Sequence, residues 1–224
     1  MPRTLDTASM TEKLALFSLK TGFAIEAMAF VEQVHGATVS DVYQGAGDTG
    51  VIATADAMIT DVPGIALIIR TADCVPVLLV DEVKGVIAIA HAGWKGVLAG
   101  VLGVVIERMQ KQYGCVSSDV RVMMGPSICG RHYDVSTVPD DRVSRFEKQF
   151  NANDGVVIRD GSSMRLDLPQ ACLVQCRRFG VTTVDSSLPA TCTVEDTQWP
   201  SHRREGDQRQ DHVWSWVCLT KPGI

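Results

Sequence analysis

Four apolar runs follow one another in quick succession in the middle of the chain, at 57–59, 65–69, 75–80 and 86–90. Their short lengths, β-branched content and Pro, Gly and Asp punctuation specify strands. The run at 75–80 is apolar throughout, so it reads as a strand buried on both faces. Residues 28–34 read as an earlier strand that runs into His35-Gly36. Residues 46–55 hold small and turn-forming residues and read as a loop. After a turn at 93–96, residues 97–112 read as a helix stopped by Gly114. A strand at 120–124 is closed by Gly125-Pro126. An amphipathic helix is expected over 140–150. A second is expected over 168–179, with Asp167 as N-cap and Pro169 at the first helical position. Strands at 181–184 and 213–219 complete the pattern. Strands and helices mix without strict βα alternation, which specifies an α+β fold rather than a doubly wound sheet.

Composition narrows the class. The 224 residues show no internal repeat and read as one domain, 1–224, large enough to bury a core without staples. They are 46% hydrophobic and 21% charged with a net charge of -5, so no basic stripe invites nucleic acid. No apolar run approaches bilayer length, and the N-terminus lacks the pattern of a signal peptide. A cytoplasmic location is expected. Seven cysteines is an odd number, and in a reducing compartment thiols or metal ligands are favoured over disulfides.

Chemistry concentrates at strand ends. TADCVPVLLV (71–80) places Cys74 at the threshold of a strand, and GVIAIAHAGWKG (85–96) carries His91 at the end of another. His35 follows a third. Two imidazoles and one thiolate suit zinc, with a fourth position left for water or substrate. Taken singly, a cysteine at a strand edge is most often a small buried hydrophobe, and a lone histidine is most often hydrogen-bonded or exposed. The same atoms leave two other chemistries open. Cys74 with His91 as base makes a nucleophilic pair. Two histidines, a cysteine and a weak axial methionine make a copper site. Five histidines are too few for a four-copper centre, which relies mainly on imidazole.

The turn AHAGWKG sets Gly93 and Gly96 around a strand-to-helix corner. Its backbone N–H groups and Lys95 form an anion site; the plain alternative is a tight turn with Lys95 in solvent. SHRREGDQR (201–209) gathers His202, Arg203, Arg204 and Arg209, either for phosphate or carboxylate recognition or as a solvated loop. Gln33, two residues before His35, stands where it can touch a substrate. Asp56, Asp61 and Asp73 are candidate acid/base groups, and Asp73 also a candidate to orient a ligand or cap a turn. Cys172 and Cys176 lie on one helix face and read as core, as do Cys115 and Cys218. Cys129 and Cys192 carry no clear assignment.

QVHGATV (33–39), ADAMIT (55–60), TADCVPVLL, AHAGWKG, GPSICG (125–130) and SHRRE occur in this order, and together they resemble the YfiH/laccase-domain family. That family is also described as the purine nucleoside phosphorylase or polyphenol oxidase laccase-domain family. The resemblance runs from about residue 17 to the C-terminus. It implies an α+β fold of layered mixed β-sheets flanked by helices, α/β/β/α. It implies a zinc held by His35, Cys74 and His91, with copper as the alternative metal. It implies phosphorolysis of adenosine, inosine, guanosine and methylthioadenosine, with adenosine deamination beside it. Nucleoside and phosphate are then the partners, and the chain a monomer or homodimer. Lys95, Gly93, Gly96 and Arg203 are the phosphate holders expected, with Gln33 on the substrate. Other members are described as editors of muropeptide precursors or as phenol oxidases, and a metal-stabilised domain without activity is the nonenzymatic alternative. Three features depart from the family pattern. A GDD-type segment before QVHG is missing from a shortened N-terminal part. Lys95 replaces an arginine. The tail lacks its usual glycine-arginine ending, for which Arg209 is the candidate substitute.

Overall fold

The computed structural model describes residues 26–43, 50–185, 191–208 and 211–220, with isolated positions before residue 26. The expectations placed on Arg209 and on the segment around residue 17 lie outside the described residues.

Two sheets pack face to face. The smaller contains β1 (Ala27–Glu32), β3 (Gly50–Thr54), β5 (Ile65–Thr71) and β12 (Val213–Cys218), in the order β12-β5-β1-β3. Its first three strands are mutually parallel, and β12 runs antiparallel beside β5. The larger contains β2 (Val39–Asp41), β4 (Ala57–Thr60), β6 (Val75–Asp81), β7 (Val86–Ala92), β8 (Val120–Met124) and β11 (Thr183–Val184), in the order β11-β8-β6-β7-β4-β2. Between them lie Ala29, Val31, Leu67 and Ile69 from one sheet and Met58, Ile87 and Ile89 from the other. Burying an aliphatic side chain of this size contributes about 1.5–3 kcal/mol, so this layer fixes the two sheets against each other.

Helices cover the outer face of the larger sheet. Among them α1 (Trp94–Leu98) and α2 (Val101–Tyr113) follow β7, α3 (Arg142–Gln149) comes after β8, and α4 (Leu168–Arg178) precedes β11. On α2, Val101, Leu102, Val105, Ile106 and Met109 are fully buried. They share a core with Ala88 and Ala90 of β7 and with Ala171, Cys172 and Cys176 of α4. Cys172 and Cys176 are thus core residues, as their spacing indicated. Burial pushes the Cys176 thiol up to about 12. Among the described residues no helix is long and apolar enough to cross a membrane.

The chain passes from the smaller sheet to the larger three times, between β1 and β2, between β3 and β4, and between β5 and β6. Because β1, β3 and β5 are parallel, all three passages lie at one edge of the molecule. His35, Asp56 and Cys74 each fall in one of them.

Several elements differ from the sequence reading. Residues 50–54, read as part of a loop, form the edge strand β3. Among the described residues it pairs with β1 alone and stays half exposed, and its apolar run is only three residues long. The helix expected over 97–112 is two helices, broken where Gly100 takes a left-handed φ of 77°. Apolar residues continue through the corner and hide it. Gly96, read as part of a turn, lies inside α1. The first strand ends at Glu32 rather than residue 34. Gln33 instead turns its amide onto the backbone of Arg70, accepting from the N–H at 2.9 Å and donating to the carbonyl at 2.8 Å. Asp167 caps α4 as expected, accepting from Gln170 N–H at 2.9 Å, but Leu168 is the first helical residue. The hairpin of β9 (Val157–Asp160) and β10 (Ser163–Leu166) had no counterpart in the reading.

Candidate metal centre and its clefts

His35, Cys74 and His91 meet. Their ligand atoms all lie within 4.8 Å of one another. The two imidazoles stand edge to face, with centroids 4.7 Å apart and planes at 80°. His91 is 2% exposed and sits in β7 opposite Pro76 of β6. Cys74 immediately precedes β6.

Asp56 organises this arrangement. It is fully buried, and its Oδ1 lies 2.8 Å from Nδ1 of His91. The same carboxylate accepts the backbone N–H of His35 at 2.8 Å and of Gly36 at 2.6 Å. With Nδ1 engaged, His91 is left with Nε2 for a ligand, the arrangement by which a carboxylate fixes the tautomer of a metal-binding imidazole. The sequence reading offered Asp56 as an acid/base group; the structure gives it a positioning role.

The electrostatics are self-consistent. Burial opposes the charge of Asp56, but His91 and the N–H groups of Gly36 and His35 hold its carboxyl below the usual range. Burial likewise opposes the charge of His91, yet Asp56 and Cys74 raise its pKa to about 9. Cys74 is also desolvated, and hydrogen bonds with His35 and His91 bring it down to about 7. In the metal-free site these neighbours favour the charged forms of all three groups, carboxylate, imidazolium and thiolate. Two imidazole nitrogens and a low-pKa thiol, already clustered, fit a divalent cation that prefers mixed nitrogen and sulfur donors.

Two non-glycine residues carry a left-handed backbone, His35 at φ 61° and Asp73 at φ 85°. Such conformations cost about 1–3 kcal/mol and persist where surrounding bonds hold them. Asp56 holds the first. The second is held by the Asp73 side chain, which accepts from the Thr193 hydroxyl and the Arg203 backbone N–H, both at 2.6 Å. The Asp73 carbonyl also accepts from the Ile128 N–H at 2.9 Å. Asp73 thus ties the approach to Cys74 to α5 (His202–Glu205).

The trio opens onto two clefts. The larger, about 710 Å³, is lined by His35 and Cys74 together with Trp94, Lys95, Tyr133, Arg142, His202 and Arg203. The smaller, about 280 Å³, adjoins His91 and includes Glu32, Gln33, Arg70 and His212. In the larger cleft Arg142 lies over the Trp94 ring at 4.4 Å and Arg203 over Tyr133 at 5.3 Å. Arg142 is committed to the Asp140 carboxylate and the Tyr133 hydroxyl. Among the described residues, Lys95 and Arg203 make no salt bridge. Arg204 points elsewhere: it bonds the carbonyls of Thr193 and Trp199 and the Glu205 carboxylate.

The structure also places the two glycines. A Cβ at Gly93 would stand 2.9 Å from both Cys74 Sγ and His35 Cδ2, and one at Gly96 would stand 2.9 Å from the Gly36 carbonyl. Glycine lets α1 press against the trio and against the turn that carries His35. Gln33 lines the smaller cleft with its amide already bonded to Arg70. Trp94, Tyr133 and Arg142, which the sequence reading did not single out, join the wall through packing over long sequence separations.

Comparison with known proteins identifies the family and the shared fold. A sequence model of the family described as multi-copper polyphenol oxidoreductase laccase matches residues 5–219. A protein named purine nucleoside phosphorylase from Streptomyces coelicolor is 34% identical over 200 residues, covering 89% of this chain and 79% of that one. A protein named adenosine deaminase, from an unknown prokaryotic organism, is 37% identical over 157 residues, covering 67% of this chain and 57% of that one. The crystal structure of YlmD from Geobacillus stearothermophilus superimposes with a TM-score of 0.80 at 26% identity, covering 96% of this chain and 82% of that one. The layered α+β fold is therefore shared.

Proposed function

The chain belongs to the laccase-domain family of multi-copper polyphenol oxidoreductase laccases, and from that premise we propose that it is a zinc-dependent purine nucleoside phosphorylase centred on His35, Cys74 and His91. The observation that carries the reading is the wall of the larger cleft. Lys95 and Arg203 lie free of salt bridges among the described residues, beside the Trp94 and Tyr133 rings and open to the trio. Cations without carboxylate partners suit a phosphate, and aromatic faces suit a purine. Relatives named purine nucleoside phosphorylase support the same substrate class.

In this reading Lys95 and Arg203 hold phosphate so that one of its oxygens faces C1′ of the nucleoside. That oxygen bonds to C1′ as the C1′–N9 bond breaks, giving ribose 1-phosphate and the free base, which takes up a proton. The aromatic walls orient the base and exclude water from the reacting carbon. Asp56 fixes His91, and the bonds of Asp73 fix the backbone that delivers Cys74. His35, Cys74 and His91 would hold the zinc, which would supply a Lewis acid and a water of lowered pKa. Zinc is favoured over a multi-copper centre because only two of the five histidines reach this cluster.

Adenosine deamination is the second reading, supported by the relative named adenosine deaminase. Water adds at C6, the C6–N6 bond breaks and ammonia leaves with the proton. The test is chromatography of adenosine incubated with zinc-loaded protein, with and without phosphate, beside Cys74→Ser. Adenine formed only with phosphate is the expected result, and inosine identifies the deaminase. No turnover in any tube defeats both readings and moves the search to muropeptide precursors.

A further inference from the structure

A second cluster of ligand-type side chains stands apart from the trio. Cys129, His132, Cys192 and Glu195 bring their donor atoms within 4.8 Å of one another. Nδ1 of His132 lies 3.3 Å from Cys129 Sγ, 3.5 Å from Cys192 Sγ and 3.4 Å from Glu195 Oε1. In a tetrahedron around zinc with ordinary bond lengths, the nitrogen–sulfur edge is about 3.6 Å and the nitrogen–oxygen edge about 3.4 Å. The observed separations of 3.3, 3.5 and 3.4 Å lie close to those edges.

The backbone presents the four donors in matched pairs. Cys129 and His132 are the first and last residues of one turn, closed by His132 N–H bonding the Cys129 carbonyl at 3.0 Å. Cys192 and Glu195 bracket a second turn, closed by Glu195 N–H bonding the Cys192 carbonyl at 3.2 Å. A parallel bridge between Ser127 and Cys192 sets the turns side by side. The Cys129 N–H points at Cys192 Sγ, 3.4 Å away, as backbone amides do around metal-bound sulfur. The first turn is seated firmly, because a Cβ at Gly130 would fall 2.6 Å from Asp167 Oδ2 at the start of α4. Arg131 donates to Glu195 Oε1 at 2.7 Å. A carboxylate oxygen has two lone pairs, so this contact orients the ligand and offsets part of its charge.

We propose that Cys129, His132, Cys192 and Glu195 form a second, structural zinc site that fastens the 127–133 loop to the 191–205 segment. The consequence reaches the larger cleft, since the loop carries Tyr133 and the segment carries Thr193 and Arg203. Four protein ligands close the coordination sphere, so the site is structural rather than catalytic. It stands independently of the reaction assigned to the trio.

The test is zinc stoichiometry of the full chain, reduced, stripped with chelator and dialysed against zinc. The wild type is expected to hold two zinc ions, one per cluster. Cys74→Ser is expected to keep one, and Cys74→Ser/Cys129→Ser/Cys192→Ser none. Cobalt(II) added to Cys74→Ser should give a thiolate-to-cobalt charge-transfer band with tetrahedral d–d absorption, a signal the trio cannot supply without its thiol. Glu195→Gln alters a half-exposed carboxylate and should leave the fold intact. It is expected to weaken the second zinc by at least about tenfold. Cys74→Ser without bound zinc or a cobalt–thiolate band overturns the proposal, as does unchanged affinity in Glu195→Gln. A Cys129–Cys192 disulfide in protein isolated without reductant, with no zinc bound at this cluster after reduction, also overturns it and makes the cysteines a redox pair.

Discussion

Asp56 and His91 stand 35 residues apart in sequence and form a buried pair, with Oδ1 of one 2.8 Å from Nδ1 of the other. The same carboxylate grips the turn that carries His35. One side chain therefore sets the ring of one ligand and the backbone of another. Asp56→Asn keeps the shape but loses the charge, and zinc affinity of the trio should fall about 10–100-fold. Asp56→Ala removes one member of a buried pair and should destabilise the fold by about 3–5 kcal/mol. Metal titration and denaturant unfolding of the two variants separate these effects; unchanged zinc affinity in Asp56→Asn would remove the positioning role.

Zinc and protons compete at the trio. Cys74 and His91 must each be deprotonated to bind a cation. Cys74 loses its proton at about 7 and His91 at about 9. From Cys74 and His91 together, two protons are therefore displaced below the lower value, one between the two values and none above. Affinity should rise steeply with pH at first, then less steeply, and level off above about 9. Competition titrations over roughly pH 6 to 10, with proton release measured calorimetrically in two buffers, check this. An affinity independent of pH would contradict it. In the metal-free protein His91 contributes stability at low pH that is lost as pH rises through about 9. Asp56 contributes stability at higher pH that is lost as pH falls through its lowered value.

Gly93→Ala should act on the ligands rather than on the backbone, whose φ of -76° any residue accepts. The new methyl would press on Cys74 Sγ and the His35 ring. Overpacking of this kind costs about 1–3 kcal/mol, and turnover should fall with zinc occupancy. Gly50→Ala, with open space around it, is the control expected to change neither. Equal behaviour of the two variants would show that close packing at Gly93 is unimportant.

Lys95→Ala and Arg203→Ala each remove an exposed cation from the larger cleft. A charge-assisted hydrogen bond contributes about 1.5–3 kcal/mol, so each should raise KM for phosphate by roughly tenfold or more. KM for the nucleoside should move less, and thermal unfolding should not change. Steady-state kinetics with each substrate varied in turn provides the measurement. A loss confined to the nucleoside would assign these cations to the wrong substrate.

The trio was legible because each member is a distinctive residue type at the end of a recognisable strand. Its clustering follows from parallel strands that end together. Asp56 looked like one acidic residue among several, since its role appears only when the passage between β3 and β4 lies against both histidines. Edge strand β3 escaped notice because its apolar run, Val51 to Ala53, is only three residues long and follows the turn-forming residues 46–50. Gly100 was hidden because apolar residues run through the corner it makes. Cys129 and Cys192, 63 residues apart, gave no sign of pairing. Their turns come together through a bridge of a single residue pair, which leaves no periodic trace.

The three passages between sheets act like the spine of a book. His35, Asp56 and Cys74 all sit along that spine, while His91 belongs to a page of the larger sheet. A metal gripping the trio would therefore be a stitch through the binding rather than an ornament on a cover. His35 arrives from the end of the smaller sheet and His91 from the larger, so neither sheet can assemble the trio alone. Occupancy of that centre then reports that both sheets have closed on each other.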